Sequence, residues 1–236
     1  MRKITLPIVS FIFISTLSFA QTITPKVGYT LSTWGASNYV TQLNNSFSSQ
    51  PGFSFGVAYS IPLKGLGIGM LSLQPEVSFV QKGFKVDAQG EVSSAELTFF
   101  ITSHQEYTIH YLEFPLMTKY EFGNDRFKFS VSAGPSIAFG LGGKYKAAST
   151  IFDGNVTTDL ANTTGDIRFF KSKDNQSVSF DHNIDAGIQF GIGAVLYNRI
   201  ALDVRFGNSF TNTNEYNESK NRVLQFTVGV PISLKD

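Results

Sequence analysis

The chain is 236 residues long, with 23 phenylalanines, 21 glycines and no cysteine. The absence of cysteine excludes disulfides, zinc–thiolate sites, iron–sulfur clusters, cysteine nucleophiles and a lipid-anchored cysteine. Lys and Arg number 19 against 18 Asp and Glu, a balance too even for a basic field that would recognise nucleic acid.

At the N-terminus, Arg2 and Lys3 precede a mostly apolar run, Ile4 to Leu17, followed by Ser18-Phe19-Ala20. A positive start, a short apolar run and a small-x-small site predict a secretory signal peptide over residues 1–20. The run is short of the ~20 residues a spanning helix needs. The remainder, residues 21–236, reads as one all-β domain, because no helical period persists and no Pro- or Ser-rich linker divides it.

Eight runs of period-two alternation follow in order, each placing successive side chains on opposite faces. The first spans Ile23 to Thr33, the second Gly52 to Ile61, and the third Met70 to Val86. In the third, Leu71, Leu73, Val77 and Phe79 alternate with Ser72, Gln74, Glu76, Ser78 and Lys82. The fourth and fifth form a long hairpin within Thr108 to Gly143, turning at Gly123-Asn124-Asp125. Leu112, Phe114, Leu116, Tyr120 and Phe122 share one parity of its first arm, with His110. Glu113, Pro115, Lys119 and Glu121 share the other. The sixth runs from Phe180 to Tyr197, the seventh begins at Arg199, and the eighth runs from Arg222 to Leu234.

Connections alternate in length. Short ones follow strands two, four and six; long polar ones cover Trp34 to Pro51, Asp87 to Gln105, Lys146 to Ser179 and Gly207 to Asn221. An even strand count, short turns at one end and long loops at the other predict an eight-stranded antiparallel up-and-down transmembrane β-barrel in a bacterial outer membrane. One face of nearly every strand is apolar throughout, which suits lipid outside a closed barrel better than a soluble core.

The inward parity then carries Lys26, Glu76, Lys82, Glu113, Lys119, Glu121, Lys128, Asp185, Asp203 and Arg205. Both signs occur in similar number, and eight strands enclose a narrow interior filled by side chains. A paired polar plug is the favoured reading over a selective pore, since unpaired buried charge is costly. Pro75, Pro115 and Pro135 fall inside strands and remove ladder donors, so a bulge is expected near each.

Gln74-Pro75-Glu76, Gln81-Lys82-Gly83, Tyr111-Leu112-Glu113-Phe114-Pro115-Leu116 and Ala133-Gly134-Pro135 occur in this order, followed by Asp185-Ala186-Gly187 and Gly191-Ile192-Gly193. Together they resemble the PorT-like outer-membrane β-barrel family, over about Ile23 to Leu234. The resemblance implies an outer-membrane barrel of about eight strands, and its namesake is linked to protein secretion. Thr227 to Leu234 resembles the C-terminal signal read by the barrel-assembly machinery, although the chain ends Leu-Lys-Asp and not on an aromatic residue.

Catalytic chemistry has one local candidate, Ser103-His104 with Glu106, which lacks a nucleophile elbow. Asp153-Gly154-Asn155 and Asp174-Asn175 read as turns and not as calcium loops. Gly140 to Lys144 lacks phosphate-loop spacing, and its glycines suit strand curvature. Trp34, Tyr39 and the aromatics near strand ends suit interfacial girdles. Phe99-Phe100-Ile101 and Phe169-Phe170 in the long connections either extend strands or contact a protein. No cofactor is expected. The expected partners are outer-membrane lipid, the assembly machinery during insertion, and an envelope or secretion protein met by the long loops. The expected role is non-enzymatic; a small-solute channel and a lipid-modifying enzyme are the alternatives.

Overall fold

The computed structural model describes residues 21–37, 44–94, 97–153, 156–169, 178–180, 182–212 and 218–234. Residues 1–20, Tyr39, Gly154-Asn155, Phe170, Asp174-Asn175 and Asp181 lie outside the described residues. The strands are β1 Thr22–Ser37, β2 Asn44–Leu66, β3 Gly69–Ser94, β4 Leu97–Gly123, β5 Phe127–Phe152, β6 Thr157–Phe169, β7 Val178–Phe180, β8 Ile184–Leu196, β9 Ile200–Ser209, β10 Glu218–Gly229 and β11 Ile232–Ser233.

Eight of them close a ring in the order β1, β2, β3, β4, β5, β8, β9, β10, every neighbour pair antiparallel. β11 continues β10 past Pro231 and pairs with the start of β1. Closure leaves no free edge around the ring, so backbone groups are satisfied between strands. The outward parity carries Val27, Phe55, Val77, Phe129, Ile192, Leu202 and Val228, all exposed. This apolar belt circles the barrel and has the character of a surface facing hydrocarbon.

The turns agree with the sequence reading. Asn124 accepts the backbone N–H groups of Arg126 and Phe127 at 3.0 Å each. Tyr197 and Asn198 both adopt positive φ, 51° and 55°, in the three-residue turn between β8 and β9.

Three expectations need correction. The long connections are largely strand: β3 and β4 stay paired as far as Ser94↔Leu97, and β5 pairs β6 from Gly143↔Ile167 to Phe152↔Thr157. Alternation continues through these stretches, and each finds a neighbour to complete its ladder. β3 has 26 residues and β10 has 12. At ~3.3 Å per residue β3 reaches roughly 85 Å, far more than the ~25 Å apolar band of such a barrel requires. The β2–β6 side is therefore a tall wall, and β8–β10 a short one.

Nor do Pro75, Pro115 and Pro135 shift the register; they pair in step with Leu116, Ser136 and Ile188. Each removes one bond from a long ladder whose flanking pairs hold the alignment. The irregularities lie elsewhere, at Ser49/Ser54, Pro62/Lys64, Ser149/Thr150 and His110/Tyr111. At the last, Gly142 takes φ +124°, a conformation other residues rarely adopt. There β5 leaves β8 and begins to pair with β6.

Trp34, finally, is no girdle residue. It points into the barrel and is buried in a core with Phe84, Val86, Ile109, Tyr111, Ala138, Ile167 and Phe180. This core fills the end of the barrel away from the tight turns.

Candidate functional site

The interior has three levels. At the turn end an open vestibule of about 420 Å³ is lined by Lys119, Glu121, Lys128 and Asp203 and rises to Lys26 and Gln74. Glu121 holds Lys119 at 3.0 Å and Lys128 at 3.7 Å. Asp203 packs over Gly193, its cross-strand partner; a Cβ there would meet Asp203 Oδ1 at 2.4 Å.

The middle level is a buried ionic layer. Arg205 from β9 grips Glu76 of β3 with two guanidinium nitrogens, at 2.8 and 2.7 Å. Lys26 from β1 donates to the same carboxylate at 2.6 Å, and Gln74 also donates to it at 2.6 Å. Lys82 reaches Glu113 of β4 at 2.8 Å and Asp185 of β8 at 3.0 Å. The layer holds three cations and three carboxylates, so its formal charge cancels. A void of about 20 Å³ beside Lys82, Asp185 and Arg205 has room for about one water.

The aromatic core is the third level. Trp34 stacks on Phe84 with centroids 3.7 Å apart, and Phe84 stacks on Tyr107 at 4.6 Å. Phe180 meets Trp34 edge-on at 5.6 Å. Two links tie this core to the ionic layer. The Trp34 indole donates to Asn221 Oδ1 at 2.8 Å, and Asn221 donates to Asp185 at 3.0 Å. Lys82 Nζ also sits 5.1 Å from the Tyr111 ring centroid.

All ten charges expected inside thus face the interior, six in the middle layer and four around the vestibule. Gln74, which the sequence places on the same parity as Glu76, and Asn221, which it places in a long connection, complete the layer. For Asn221 the available signal is parity: it shares the buried face of β10 with Val223 and Thr227, opposite the exposed Arg222.

The Ser103-His104 pair divides across its strand. Ser103 lies within 3.2 Å of Ser149 Oγ on one face, while His104 on the other contacts Asp87 and, at 3.4 Å, Glu106. Hydrogen bonding to Asp87 raises the His104 pKa, with a smaller contribution from Glu106. Lys85 bonds Glu106 at 2.6 Å and holds its carboxyl below the usual range. The Asp153 carboxylate accepts the Val156 N–H at 2.8 Å, a turn contact.

The model of the outer membrane protein beta-barrel domain matches residues 19–231. The chain belongs to this family. Its members are bacterial outer-membrane barrels, which places the apolar belt in lipid; barrels of this kind carry short turns at the periplasmic end and long connections at the outer end. Among solved structures, the chain is similar to Ail, the attachment invasion locus protein of Yersinia pestis, at 9% identity, 91% and 100% coverage of this chain and that one, and a TM-score of 0.35. It is similar to OprG from Pseudomonas aeruginosa at 11% identity, 92% and 97% coverage and a TM-score of 0.40. For Neisserial surface protein A the values are 11%, 88% and 96%, and 0.37. Among curated proteins, none matches the chain. The family assignment rests on the family model alone.

Proposed function

We propose that this outer-membrane barrel is a closed, non-enzymatic scaffold that meets an envelope or secreted protein through its tall extracellular wall. The observation that carries the reading is the pair Phe100 and Phe152, opposite each other on β4 and β5, with ring centroids 6.5 Å apart. Both are exposed, as are Val156 and Leu160 beside them in sequence. Phe100 stands ten residues beyond His110, roughly 33 Å along the strand from the belt. Apolar rings held there in water, on a wall braced by the aromatic core, fit a protein contact.

The ionic layer supports a closed interior, because every cation in it is engaged and the void beside it admits about one water. The division of Ser103 from His104 weighs against hydrolytic chemistry at that pair. The motif resemblance to PorT-like proteins supports a narrower role as an accessory to protein secretion. Residues 1–20 act in this reading as the export signal.

A photo-crosslinking residue replacing Phe100 or Phe152, in intact outer membranes, tests the contact. One discrete protein adduct, absent from controls at Val131 in the lipid belt, is expected. Adducts to lipid alone would overturn the interaction reading. The channel alternative draws on the vestibule, which enters the barrel as far as Lys26. Steady single-channel conductance in planar bilayers is the result that would favour it.

A further inference from the structure

We propose that five cations at the extracellular rim, Lys144, Lys146, Arg168, Lys220 and Arg222, bind the headgroup phosphates of a phosphorylated glycolipid in the outer leaflet. The inference goes beyond the scaffold reading and does not depend on it.

Position is the first argument. On β10 the outward parity reads Val230, Val228, Phe226, Leu224 and then Arg222 and Lys220. On β5 it reads Ile137, Phe139, Leu141 and, past the Gly142 bulge, Lys144 and Lys146. Arg168 projects from the same face of the adjoining β6. All five are exposed and begin within a few residues of the last lipid-facing apolar side chain. That is the depth of lipid headgroups, whose phosphates attract juxtamembrane cations.

Lack of a counter-ion among the described residues is the second. Among the described residues none of the five makes an ion pair. Outward carboxylates near these cations include Asp87, Asp166 and Glu106, the cross-strand partner of Lys146. Glu106 is held by Lys85 at 2.6 Å and Asp87 by His104. Asp166 pairs across the strand from Lys144 without forming a salt bridge. The interior shows the opposite habit, with each cation of the ionic layer on a carboxylate.

Rigidity is the third. Asn221, between Lys220 and Arg222, is 1% exposed and fastened to both Trp34 and Asp185. β10 therefore presents its two cations on a locked strand, which suits recognition better than a loop does. The two groups flank the short wall, with β8 and β9 between them in the ring. Acyl chains would lie on Phe206, Phe226 and Ile184 below. Two arginine forks among the five match phosphate oxygens in pairs. Long cationic side chains also reach the interface without binding anything in particular, so the test must read headgroup selectivity.

The mature protein, folded in detergent, is titrated with bis-phosphorylated lipid A and with the same lipid stripped of both phosphates, and bound lipid is counted by native mass spectrometry. The phosphorylated form should bind about tenfold or more tightly, as expected for lost charge-assisted contacts. The double variants Lys220→Gln/Arg222→Gln and Lys144→Gln/Lys146→Gln should each lower that affinity. Lys64→Gln/Arg126→Gln, at the periplasmic turns, should not. Retention of a heat-modifiable band in every variant establishes that the barrel is folded. Equal binding of the two lipids, or equal losses in the rim and periplasmic variants, would overturn the proposal.

Discussion

The same strands are built in opposite ways below and above the lipid surface. On β3 the outward side chains are Leu71, Leu73, Val77 and Phe79 in the belt, then Gln81, Lys85 and Asp87 above it. The inward ones are Ser72, Gln74, Glu76 and Ser78, then Val80, Phe84 and Val86, with Lys82 at the changeover. β4 repeats the exchange: Phe114 and Leu112 outside give way to Thr108, Glu106 and His104, while Glu113 inside gives way to Tyr111 and Ile109. The β3–β4 ladder keeps its register throughout, so no slip moves the faces. What changes is the solvent. In lipid an apolar exterior leaves polar groups to fill the narrow lumen, where they must pair. In water the hydrophobic effect reclaims the interior.

The largest break in this contrast should come from the ionic layer. Glu76 serves two cations and one amide, and its side chain is 1% exposed. Glu76→Leu leaves Lys26 and Arg205 buried without that carboxylate, and breaking such a network costs about 3–5 kcal/mol. Denaturant unfolding of the barrel in lipid vesicles should show a loss of that size. The triple variant Lys26→Met/Glu76→Met/Arg205→Met should recover most of it, since an apolar filling removes charge and desolvation together. No recovery would mean that the layer specifies the fold by more than charge balance.

Above the belt the vulnerable element is packing. Trp34→Ala removes the stack on Phe84, the edge contact with Phe180 and the donor to Asn221. A loss of about 3 kcal/mol, typical of an aromatic deleted from a core, is expected. Proteolysis should separate the two regions further. Trp34→Ala should expose the tall wall to protease while the lipid-embedded strands stay protected, whereas Glu76→Leu should weaken both. Matching cleavage patterns would show that the two halves unfold as one.

The belt and the ring were legible because period-two alternation with an apolar outer face has few other solutions, and all ten interior charges followed from parity. Their pairing was not legible. Arg205 meets Glu76 across 129 residues and Lys82 meets Asp185 across 103, distances that only closure of the ring brings together. The upper part of the wall, Asp87 to Gln105 and most of Lys146 to Ser179, reads as loop because Ser, Thr, Asn and Asp dilute it, although the exchange of faces already begins at Phe84, Val86 and Ile109 within the runs that read as strand. That exchange was the missed signal. Trp34 was assigned to a girdle on its residue type, although its parity with Thr30 and Ser32 points inward.

The smallest expected effect lies on the outer, watered face of the tall wall, at His104. Its ring contacts Asp87 and Glu106, and the Asp87 hydrogen bond raises its pKa from the ordinary value of 6.5. A group whose folded pKa is raised contributes stability that is fully present below the unfolded value. The contribution is lost as pH climbs through the folded value. The wild-type barrel should therefore be slightly more stable at pH 5.5 than at pH 8 relative to His104→Ala, with the decline beginning near 6.5. The side chain is 46% exposed, so screening by solvent keeps the difference below about 1 kcal/mol. A pH-independent gap between the two proteins would assign His104 a packing role. A gap that widens with rising pH would mean that the neutral ring is the form the wall prefers.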